Sequence, residues 1–352
     1  MRPWFSMLAY NVDAFENGKI QSPFDKVCSV HYYFSGGANF DVKTSVLLCI
    51  LPGHVYKISL MTTRRDFLRS AGLLSAAALL APRFAAHAAT SKEKLIGLQL
   101  YTLRTDAQKD IKGTIEAIAK TGYTNVELFG YNRRQYFGLS VPEMKALLQA
   151  NNLQTTSAHY ALMDYLLKGN DDEVKTVIED AKTLGHDFVT IPYLIDKLRT
   201  TADDYKKLAD RFNHAGELVN NAGMRLAYHN HNFEFGDLNG TRGYDILLAN
   251  TDPKLVHFEM DIYWVVYAGI KPEDLFNKYP GRFPMWHVKD MRLQPQKESC
   301  EVGKGVIDFK KIFQHKKEAG FENFFVEQEA YTAAPPKQAI ITSIDYIKKN
   351  LV

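Results

Sequence analysis

KTGYTNVEL, residues 120–128 of the chain, passes from a helical pattern through a glycine into an apolar strand pattern. The same phrase returns as TLGHDFVTI (183–191), NAGMRLAYH (221–229) and EAGFENFFV (318–326). A helix that stops at a glycine and is followed by a short buried strand is typical of βα units and a parallel sheet. The repeated phrase therefore predicts an α/β fold built from successive βα units.

Short apolar segments alternate with amphipathic segments from Lys94 onward. The predicted strands are Leu95–Leu100, Asn125–Phe129, Thr155–His159, Phe188–Pro192, Arg225–His229, Val256–Asp261, Pro284–Val288 and Phe324–Gln328. The predicted helices are Ile111–Lys120, Val141–Ala150, Asp172–Leu184, Ala202–Ala222 and Phe309–Ala319, with Gly122, Gly185, Gly223 and Gly320 as stops. Eight βα units in roughly 260 residues are the usual size of a (β/α)8 TIM barrel.

The competing architecture is a doubly wound open sheet, which usually has a Gly-rich phosphate loop after its first strand. The corresponding segment here, LQLYTLRTDAQ (98–108), contains no glycine. We therefore predict a single TIM barrel over residues 94–350.

Composition is that of an ordinary globular protein, with 46% hydrophobic and 24% charged residues among 352. The net charge of +3 is too small to indicate a nucleic-acid partner or an anionic membrane surface. The cysteines are Cys28, Cys49 and Cys300. Only Cys300 falls in the predicted barrel, so we expect no disulfide within it.

A targeting signal is predicted at residues 61–88. The basic stretch MTTRRDFLR (61–69) precedes an Ala/Leu-rich run over 71–81 and the small-x-small cleavage pattern Ala86-His87-Ala88. The pair Arg64-Arg65 resembles a twin-arginine signal. We therefore expect export through the twin-arginine translocon and a periplasmic location. The alternative, a stable membrane anchor, is disfavoured because the apolar run is too short to span a bilayer.

Residues 1–60 precede this signal and show no clear helical or strand periodicity. Since a signal of this kind normally begins a protein, the simplest expectation is an over-extended start, with Met61 as the initiator. The alternative is a small additional N-terminal module.

Four predicted strands of the C-terminal half end in side chains of metal-binding type, His229, Asp261, His287 and Glu327. The carboxyl ends of all strands of a parallel barrel meet at one mouth, where such barrels do their chemistry. Imidazole nitrogens with carboxylate oxygens suit Mn²⁺, Zn²⁺, Co²⁺ or Fe²⁺. We expect a divalent metal ion, with Mn²⁺ preferred.

Each candidate ligand also has a structural alternative. Asp261 could cap a following helix, and Glu327 could pair with Lys289. His231 lies two residues after His229, on the same face of the strand, and could take its place as the ligand.

Proton transfer beside the ion needs an acid or a base. The candidates are Glu327, Glu127 (in VELFG), His231, Lys289 and His159 (in SAHY). For all but Glu327, the alternative is a structural hydrogen bond. Tyr101, Tyr263 and Trp264 are predicted either to wall a sugar or to fill the core.

Four motifs carry a resemblance to a known family: MDIYW (260–264), HVKD (287–290), EVGKGVIDF (301–309) and FFVEQE (324–329). They resemble the xylose isomerase-like TIM barrels, which include ketose 3-epimerases, inosose dehydratases and endonuclease IV. The resemblance covers about residues 94–350. It implies that Asp261, His287 and Glu327 bind metal. The ketose epimerases have a glutamate where this chain has His229, so the HNH segment looks closer to dehydratase-like relatives.

The resemblance implies a metal-dependent sugar isomerase or epimerase that removes a proton next to a carbonyl. One alternative is a lyase or hydratase of keto-sugars or 3-keto-glycosides, and another is a non-catalytic carbohydrate-binding barrel. DNA repair is disfavoured, because endonuclease IV uses a larger His-rich site. Export favours a non-phosphorylated sugar or keto-sugar, since sugar phosphates are scarce outside the cytoplasm.

Overall fold

The computed structural model describes residues 47–51, 54–58 and 96–352. The chain divides into two compact units, Met1–Ser91 and Lys92–Val352. In the first unit, Leu47–Leu51 pairs antiparallel with His54–Ile58. This hairpin lies within the predicted over-extended start, and the predicted signal at 61–88 lies outside the described residues. Both remain predictions.

The second unit is a TIM barrel, as the sequence predicts. Its eight parallel strands are β1 (Gly97–Gln99), β2 (Asn125–Glu127), β3 (Ser157–His159), β4 (Phe188–Ile191), β5 (Arg225–His229), β6 (Val256–Asp261), β7 (Met285–Val288) and β8 (Asn323–Val326). Each strand from β3 to β8 pairs with the next in the chain, and β1 lies between β8 and β2. Parallel bridges from Asn125 to Gln154 and from Leu128 to Ala158 close the ring between β2 and β3.

Helices follow the strands around the ring. Their bounds are Arg104–Lys109, Ile111–Thr121, Val141–Ala150, Met163–Lys168, Asp171–Leu184, Ala202–Asn221, Gly243–Asn250, Ile262–Tyr267, Pro272–Lys278, Phe309–Ile312, Lys316–Ala319 and Pro336–Asn350. The four predicted glycine stops all adopt a positive φ, between 73° and 92°, which glycine reaches without steric cost. The predicted helix over 309–319 is interrupted, because Phe313–His315 winds as a 3₁₀ turn.

Short strands and 3₁₀ turns lie in the loops of the barrel. Three short strands, Tyr131–Asn132, Gln135–Tyr136 and Leu139–Ser140, follow β2. After β7, Asp290–Arg292 pairs antiparallel with Glu298–Cys300. Further 3₁₀ turns lie at Leu100–Leu103, Asp196–Leu198 and Phe233–Phe235. Among the described residues, no helix is both long and apolar enough to cross a membrane.

The core has two parts. Outward-facing strand residues such as Leu98 and Leu226 join helix residues such as Ile115 and Phe212 in one large buried cluster. Inside the ring a separate apolar cluster, called here the plug, consists of Phe188, Ala227, Met285 and Phe325.

Gly97 leaves room for the plug on β1. A Cβ at this position would lie 2.5 Å from the Phe325 ring and 2.4 Å from the Phe324 carbonyl oxygen. The strands alternate their side chains, so the next inward-facing positions after Ala227, Met285 and Phe325 are two residues further on. The plug therefore forms the layer of inward-facing side chains directly beneath the polar residues of the mouth.

Candidate metal centre at the barrel mouth

The barrel brings the four predicted metal ligands together. His229, Asp261, His287 and Glu327, called here the metal cluster, each offer one atom within 4.8 Å of the others, and all four are buried. The strand register accounts for this convergence, since Asp261 pairs with His287 across β6 and β7. Their role as ligands remains a prediction.

Both structural alternatives for the carboxylates also occur. Asp261 Oδ1 accepts a hydrogen bond from the Trp264 backbone N–H at 3.2 Å, so it caps the helix Ile262–Tyr267. Glu327 Oε2 accepts one from Lys289 Nζ at 2.9 Å and lies 3.0 Å from His287 Nδ1. The cap uses only Oδ1 of Asp261, and Oδ2 contacts Lys289 instead.

Lys289 joins the carboxylates of the centre and is itself buried. Its Nζ lies 2.6 Å from Asp261 Oδ2, 2.9 Å from Glu327 Oε2 and 2.6 Å from Glu329 Oε1. Burial alone would lower the pKa of the ammonium, but the carboxylates, Asp261 foremost, hold that pKa well above its usual value. The lysine is therefore a fixed positive charge against two of the four candidate ligands.

A second group of side chains contacts the far nitrogens of the two metal-cluster histidines. This inner cluster consists of Glu127, His159 and Glu259. Glu127 Oε2 lies 2.7 Å from His287 Nε2, and it accepts a hydrogen bond from Gln99 Nε2 at 2.8 Å. Its other oxygen accepts one from Ser157 Oγ at 2.6 Å. His159 Nε2 lies 3.0 Å from Glu259 Oε2.

The surroundings shift the pKa values of four carboxyl groups in opposite directions. These groups are the inner-cluster pair Glu127 and Glu259 and the metal-cluster pair Asp261 and Glu327. Burial and the neighbouring Glu259 raise the pKa of Glu127. Burial opposes ionisation of Glu259 as well, but the surrounding imidazoles, His287 foremost, hold its pKa well below the usual range.

The same division occurs in the metal cluster. Burial, with a smaller contribution from Glu327, raises the pKa of Asp261 to about 6, although Lys289 opposes the shift. Burial alone would also raise the pKa of Glu327, but Lys289 and His287 hold it well below its usual value. Carboxyl pairs whose pKa values are driven apart by their surroundings are typical of sites that transfer protons.

The imidazoles also differ in charge state. Burial and the neighbouring His287 lower the pKa of His229 to about 3. Burial lowers the pKa of His231 as well, well below its usual value. His287 and His159 behave differently, because neighbouring carboxylates outweigh burial and raise their pKa values. Glu259 and Glu327 act on His287, and Glu127 and Glu259 act on His159.

His231 lies beside the metal cluster, not in it. Its ring stacks on Phe233 with centroids 5.5 Å apart and lies 5.1 Å from the His229 ring. Its Nδ1 is buried and has no hydrogen-bond partner within the described part of the chain. Glu234 holds this loop by accepting the His231 backbone N–H at 2.9 Å, and burial raises the pKa of Glu234 to about 7.

The aromatic residues predicted to wall a sugar occupy two places. Lys289 Nζ lies 5.3 Å from the centre of the Tyr263 ring and 5.1 Å from that of Trp264, so both rings border the centre. Tyr101 is 38% exposed and packs edge-on against Phe129. Contact with a sugar remains a prediction for all three.

Sequence reasoning missed Glu259, Gln99 and Ser157 as members of the site. A signal for Glu259 was present, because it lies two residues before Asp261 and therefore faces the barrel interior with it. The contacts of Gln99 and Ser157 with Glu127 depend on how neighbouring strands align, which no local pattern reveals.

Known proteins share this architecture and parts of the sequence. The profile of a family described as xylose isomerase-like TIM barrel matches residues 115–350. An inosose dehydratase of Geobacillus thermodenitrificans (strain NG80-2) is 29% identical over 207 residues, which are 53% of this chain and 68% of that protein. The inosose dehydratase of Clostridium beijerinckii (strain ATCC 51743 / NCIMB 8052) is 32% identical over 167 residues, 42% of this chain and 55% of the relative.

Among solved structures, a sugar phosphate isomerase/epimerase from Parabacteroides distasonis ATCC 8503 superposes with a TM-score of 0.64 at 28% identity. The alignment covers 74% of this chain and 95% of that one. By contrast, the chain spans little more than half the length of the Clostridium relative. The activities of these relatives are therefore only proposals for this chain.

Proposed function

Because the chain belongs to the xylose isomerase-like TIM barrel family, we propose that it is a metal-dependent sugar isomerase or epimerase. It removes a proton next to a carbonyl of a non-phosphorylated sugar. The observation that carries the proposal is the convergence of His229, Asp261, His287 and Glu327 at the carboxyl ends of β5 to β8. TIM barrel enzymes place their active sites at this end of the ring.

The metal cluster fits a divalent ion. Two imidazoles and two carboxylates offer nitrogen and oxygen donors at mutual distances that one ion could span. Asp261 Oδ2 contacts Lys289 Nζ at 2.6 Å, and a carboxylate oxygen has a second lone pair with which it could bind an ion. A divalent ion held by these four residues would supply Lewis acidity toward a substrate carbonyl. Mn²⁺ is our preferred ion.

Glu327 is the proposed general base. Its carboxylate is ionised because Lys289 and His287 lower its pKa, and it lies on the last strand at the mouth. Lys289 fixes the orientation of Glu327 and of Asp261 through its ion pairs. The ammonium also places a positive charge where a substrate oxygen gains negative charge during proton removal.

The remaining candidates for proton transfer are His231, Glu127 and His159. His231 is neutral and has a free buried nitrogen, so it is suited to exchange a proton with a substrate hydroxyl. Glu127 contacts His287, and His159 contacts Glu259 and packs on the rings of His229 and His287. We propose that they store a proton within the inner cluster and do not touch the substrate.

The substrate is proposed to be uncharged. Lys289 is already paired with three carboxylates. Arg104, at the rim, donates to the backbone carbonyls of Tyr101 and Glu329. A sugar phosphate would need cations that are not already engaged in this way. The predicted passage through the twin-arginine translocon to the periplasm supports the same substrate class.

A second function is favoured by a separate observation. His229 stands where the resemblance places a glutamate in ketose epimerases, and the curated relatives reported above are inosose dehydratases. We therefore keep a lyase or hydratase of keto-sugars or 3-keto-glycosides as the alternative. Its chemistry begins with the same proton removal and ends with loss of water or an aglycone.

One experiment separates these functions. Mn²⁺-loaded protein is incubated in deuterated water with free ketoses and 3-keto-glycosides, and the products are followed by ¹H NMR. Deuterium at an epimerised or isomerised carbon, with no fragment lost, is the expected result. Loss of water or an aglycone would replace the isomerase with the alternative. Binding without exchange would leave a carbohydrate-binding barrel.

A pair of histidine variants ties the reaction to the site. His287→Ala should abolish both exchange and metal binding. His186→Ala is the matched control, since His186 is also buried but contacts Thr155 and Tyr160 and not the metal cluster. It should retain both properties. Full exchange activity in His287→Ala would contradict the proposed site.

A further inference from the structure

One oxygen of Glu259 contacts three histidines. Its Oε2 lies 3.0 Å from His159 Nε2, 3.1 Å from His229 Nδ1 and 3.2 Å from His287 Nε2. Glu259 is completely buried, and its other oxygen has no hydrogen-bond partner among the residues that the structure describes. The strand register accounts for one of these contacts, because Glu259 is directly opposite His229 across β5 and β6.

The contacts decide which nitrogen of each ring is available to a metal. A ring nitrogen that faces a carboxylate oxygen at this distance carries the proton and donates it. The opposite nitrogen then presents its lone pair. In His229 that nitrogen is Nε2, which lies 3.9 Å from Asp261 Oδ2, so its lone pair points into the metal cluster. His287 differs, because its opposite nitrogen, Nδ1, also faces a carboxylate oxygen, 3.0 Å away on Glu327. An ion in the metal cluster would replace the proton on this Nδ1, while Glu259 keeps the one on Nε2.

We propose that Glu259 is a positioning residue that keeps the protons of His229 and His287 on the nitrogens facing away from the metal cluster. It thereby sets the metal affinity of the centre. The inference rests on the proposed function, since it presumes that the metal cluster binds an ion. A carboxylate that orients a metal-bound histidine commonly changes metal affinity or activity by about 10–100-fold when it is removed. Here one carboxylate serves two such histidines.

Glu127 supports the same arrangement from the side of His287. Its Oε2 lies 2.7 Å from His287 Nε2, so this nitrogen faces two carboxylate oxygens. The same oxygen accepts from Gln99, which fixes the carboxylate in place. Within residues 96–352, Glu259 is the one carboxylate that faces His229 Nδ1, so the orientation of this ring depends more strongly on Glu259.

The competing interpretation places a cation between the inner cluster and the two histidines of the metal cluster. His159, His229, Glu259 and His287 also offer atoms within 4.8 Å of one another. Such an ion would use His229 Nδ1 and His287 Nε2, the nitrogens opposite to those facing the metal cluster. Two ions could be bound together only if both rings lost both protons. The two interpretations therefore predict different protonated nitrogens and different stoichiometries.

The test combines titration with NMR of the full chain. Wild type, Glu259→Gln and Asp180→Asn are titrated with Zn²⁺ by calorimetry. Asp180 is a matched control, because it is a buried carboxylate paired with Arg134 and remote from the histidines. We expect one equivalent of Zn²⁺ in the wild type, about 10–100-fold weaker binding in Glu259→Gln, and no change in Asp180→Asn.

NMR of ¹⁵N-histidine-labelled, Zn²⁺-loaded wild type reads the protonated nitrogens without any variant. We expect protons on His229 Nδ1 and His287 Nε2. The opposite pattern, two equivalents of Zn²⁺, or equal affinity in Glu259→Gln would overturn the role of Glu259. Failure of the wild type to bind Zn²⁺ would instead defeat the proposed metal centre, and the inference with it. Zn²⁺ binding with no turnover would contradict the proposed reaction alone.

Discussion

The plug and the metal cluster share three strands, on which their residues are two positions apart, yet the two clusters have opposite roles. Ala227, Met285 and Phe325 are followed at the next inward position by His229, His287 and Glu327. The plug buries apolar surface, which is the main source of folding stability. The metal cluster instead buries charges, whose desolvation costs free energy that their pairing has to offset. A substitution in the plug should therefore act on stability, and one in the metal cluster on chemistry.

The largest effect is expected from Glu327→Gln. Removing a general base commonly lowers activity by about 10²–10⁴-fold, and this residue is also a candidate ligand. Two quantities would be measured for each variant: kcat/KM on the substrate identified by deuterium exchange, and the melting temperature. Glu322→Gln is the control, because Glu322 begins the same segment but pairs with Arg225 at the other end of the barrel. A similar loss of kcat/KM in Glu327→Gln and Glu322→Gln would show that the carboxylate at the mouth matters no more for activity than the one at the other end of β8.

Phe325→Ala should produce the complementary result. Truncating a buried phenylalanine commonly costs about 3–5 kcal/mol of stability, and Phe325 is completely buried in the plug. Urea unfolding measures the loss, and calorimetry should still find one equivalent of metal in the folded fraction. Ile341→Ala, at a position 38% exposed, should change stability little. Loss of the metal without loss of stability would show that plug and cluster are not separate in function.

Lys289→Met tests whether a cation is needed in the metal cluster. The substitution leaves three carboxylates facing one another, and breaking a buried ion pair commonly costs about 3–5 kcal/mol. Added Mn²⁺ should therefore raise the melting temperature of this variant more than that of the wild type. Lys311→Met removes an exposed pair with Glu273 and should respond to Mn²⁺ like the wild type. An equal response of all three proteins would contradict the charge balance described above.

A smaller effect concerns the rim, where Glu234 holds the loop of His231. Its pKa rises from 4.5 to about 7 in the folded chain. The folded state therefore binds more protons than the unfolded state between these values, so stability falls as the pH rises through this window. The expected change is on the order of 1–3 kcal/mol.

The measurement is urea unfolding at pH 4.5 and pH 7.5 for the wild type and Glu234→Gln. The glutamine stays neutral, so the variant should lose less stability than the wild type over this interval. A steeper fall in the variant would show that Glu234 is not the group responsible.

Much of the fold follows from the sequence, because each helix stop and strand is encoded locally. The limits appear where one side chain redirects the backbone. β1 ends at Gln99 and not at the predicted Leu100, since the Gln99 side chain accepts the Tyr101 N–H and begins a 3₁₀ turn. Likewise, the predicted helix at 309–319 contains good helical spacing, but its middle tightens at Phe313–His315.

The candidate site divides in the same way. The metal cluster was accessible from sequence because its four members end consecutive strands. The inner cluster was accessible only in part. Glu127 and His159 end strands of their own, but the contact of His159 with Glu259 joins residues 100 positions apart, and that of Glu127 with His287 joins residues 160 positions apart. Closure of the ring creates that contact, so no segment of the chain predicts it alone.

The central claim is that one divalent ion binds where four strands end. The most direct measurement is anomalous diffraction at the manganese edge from a crystal soaked in Mn²⁺. A single peak contacting His229 Nε2, Asp261 Oδ2, His287 Nδ1 and Glu327 is the predicted result. A peak among His159, Glu259 and the opposite ring nitrogens, or no peak in the barrel at all, would contradict it.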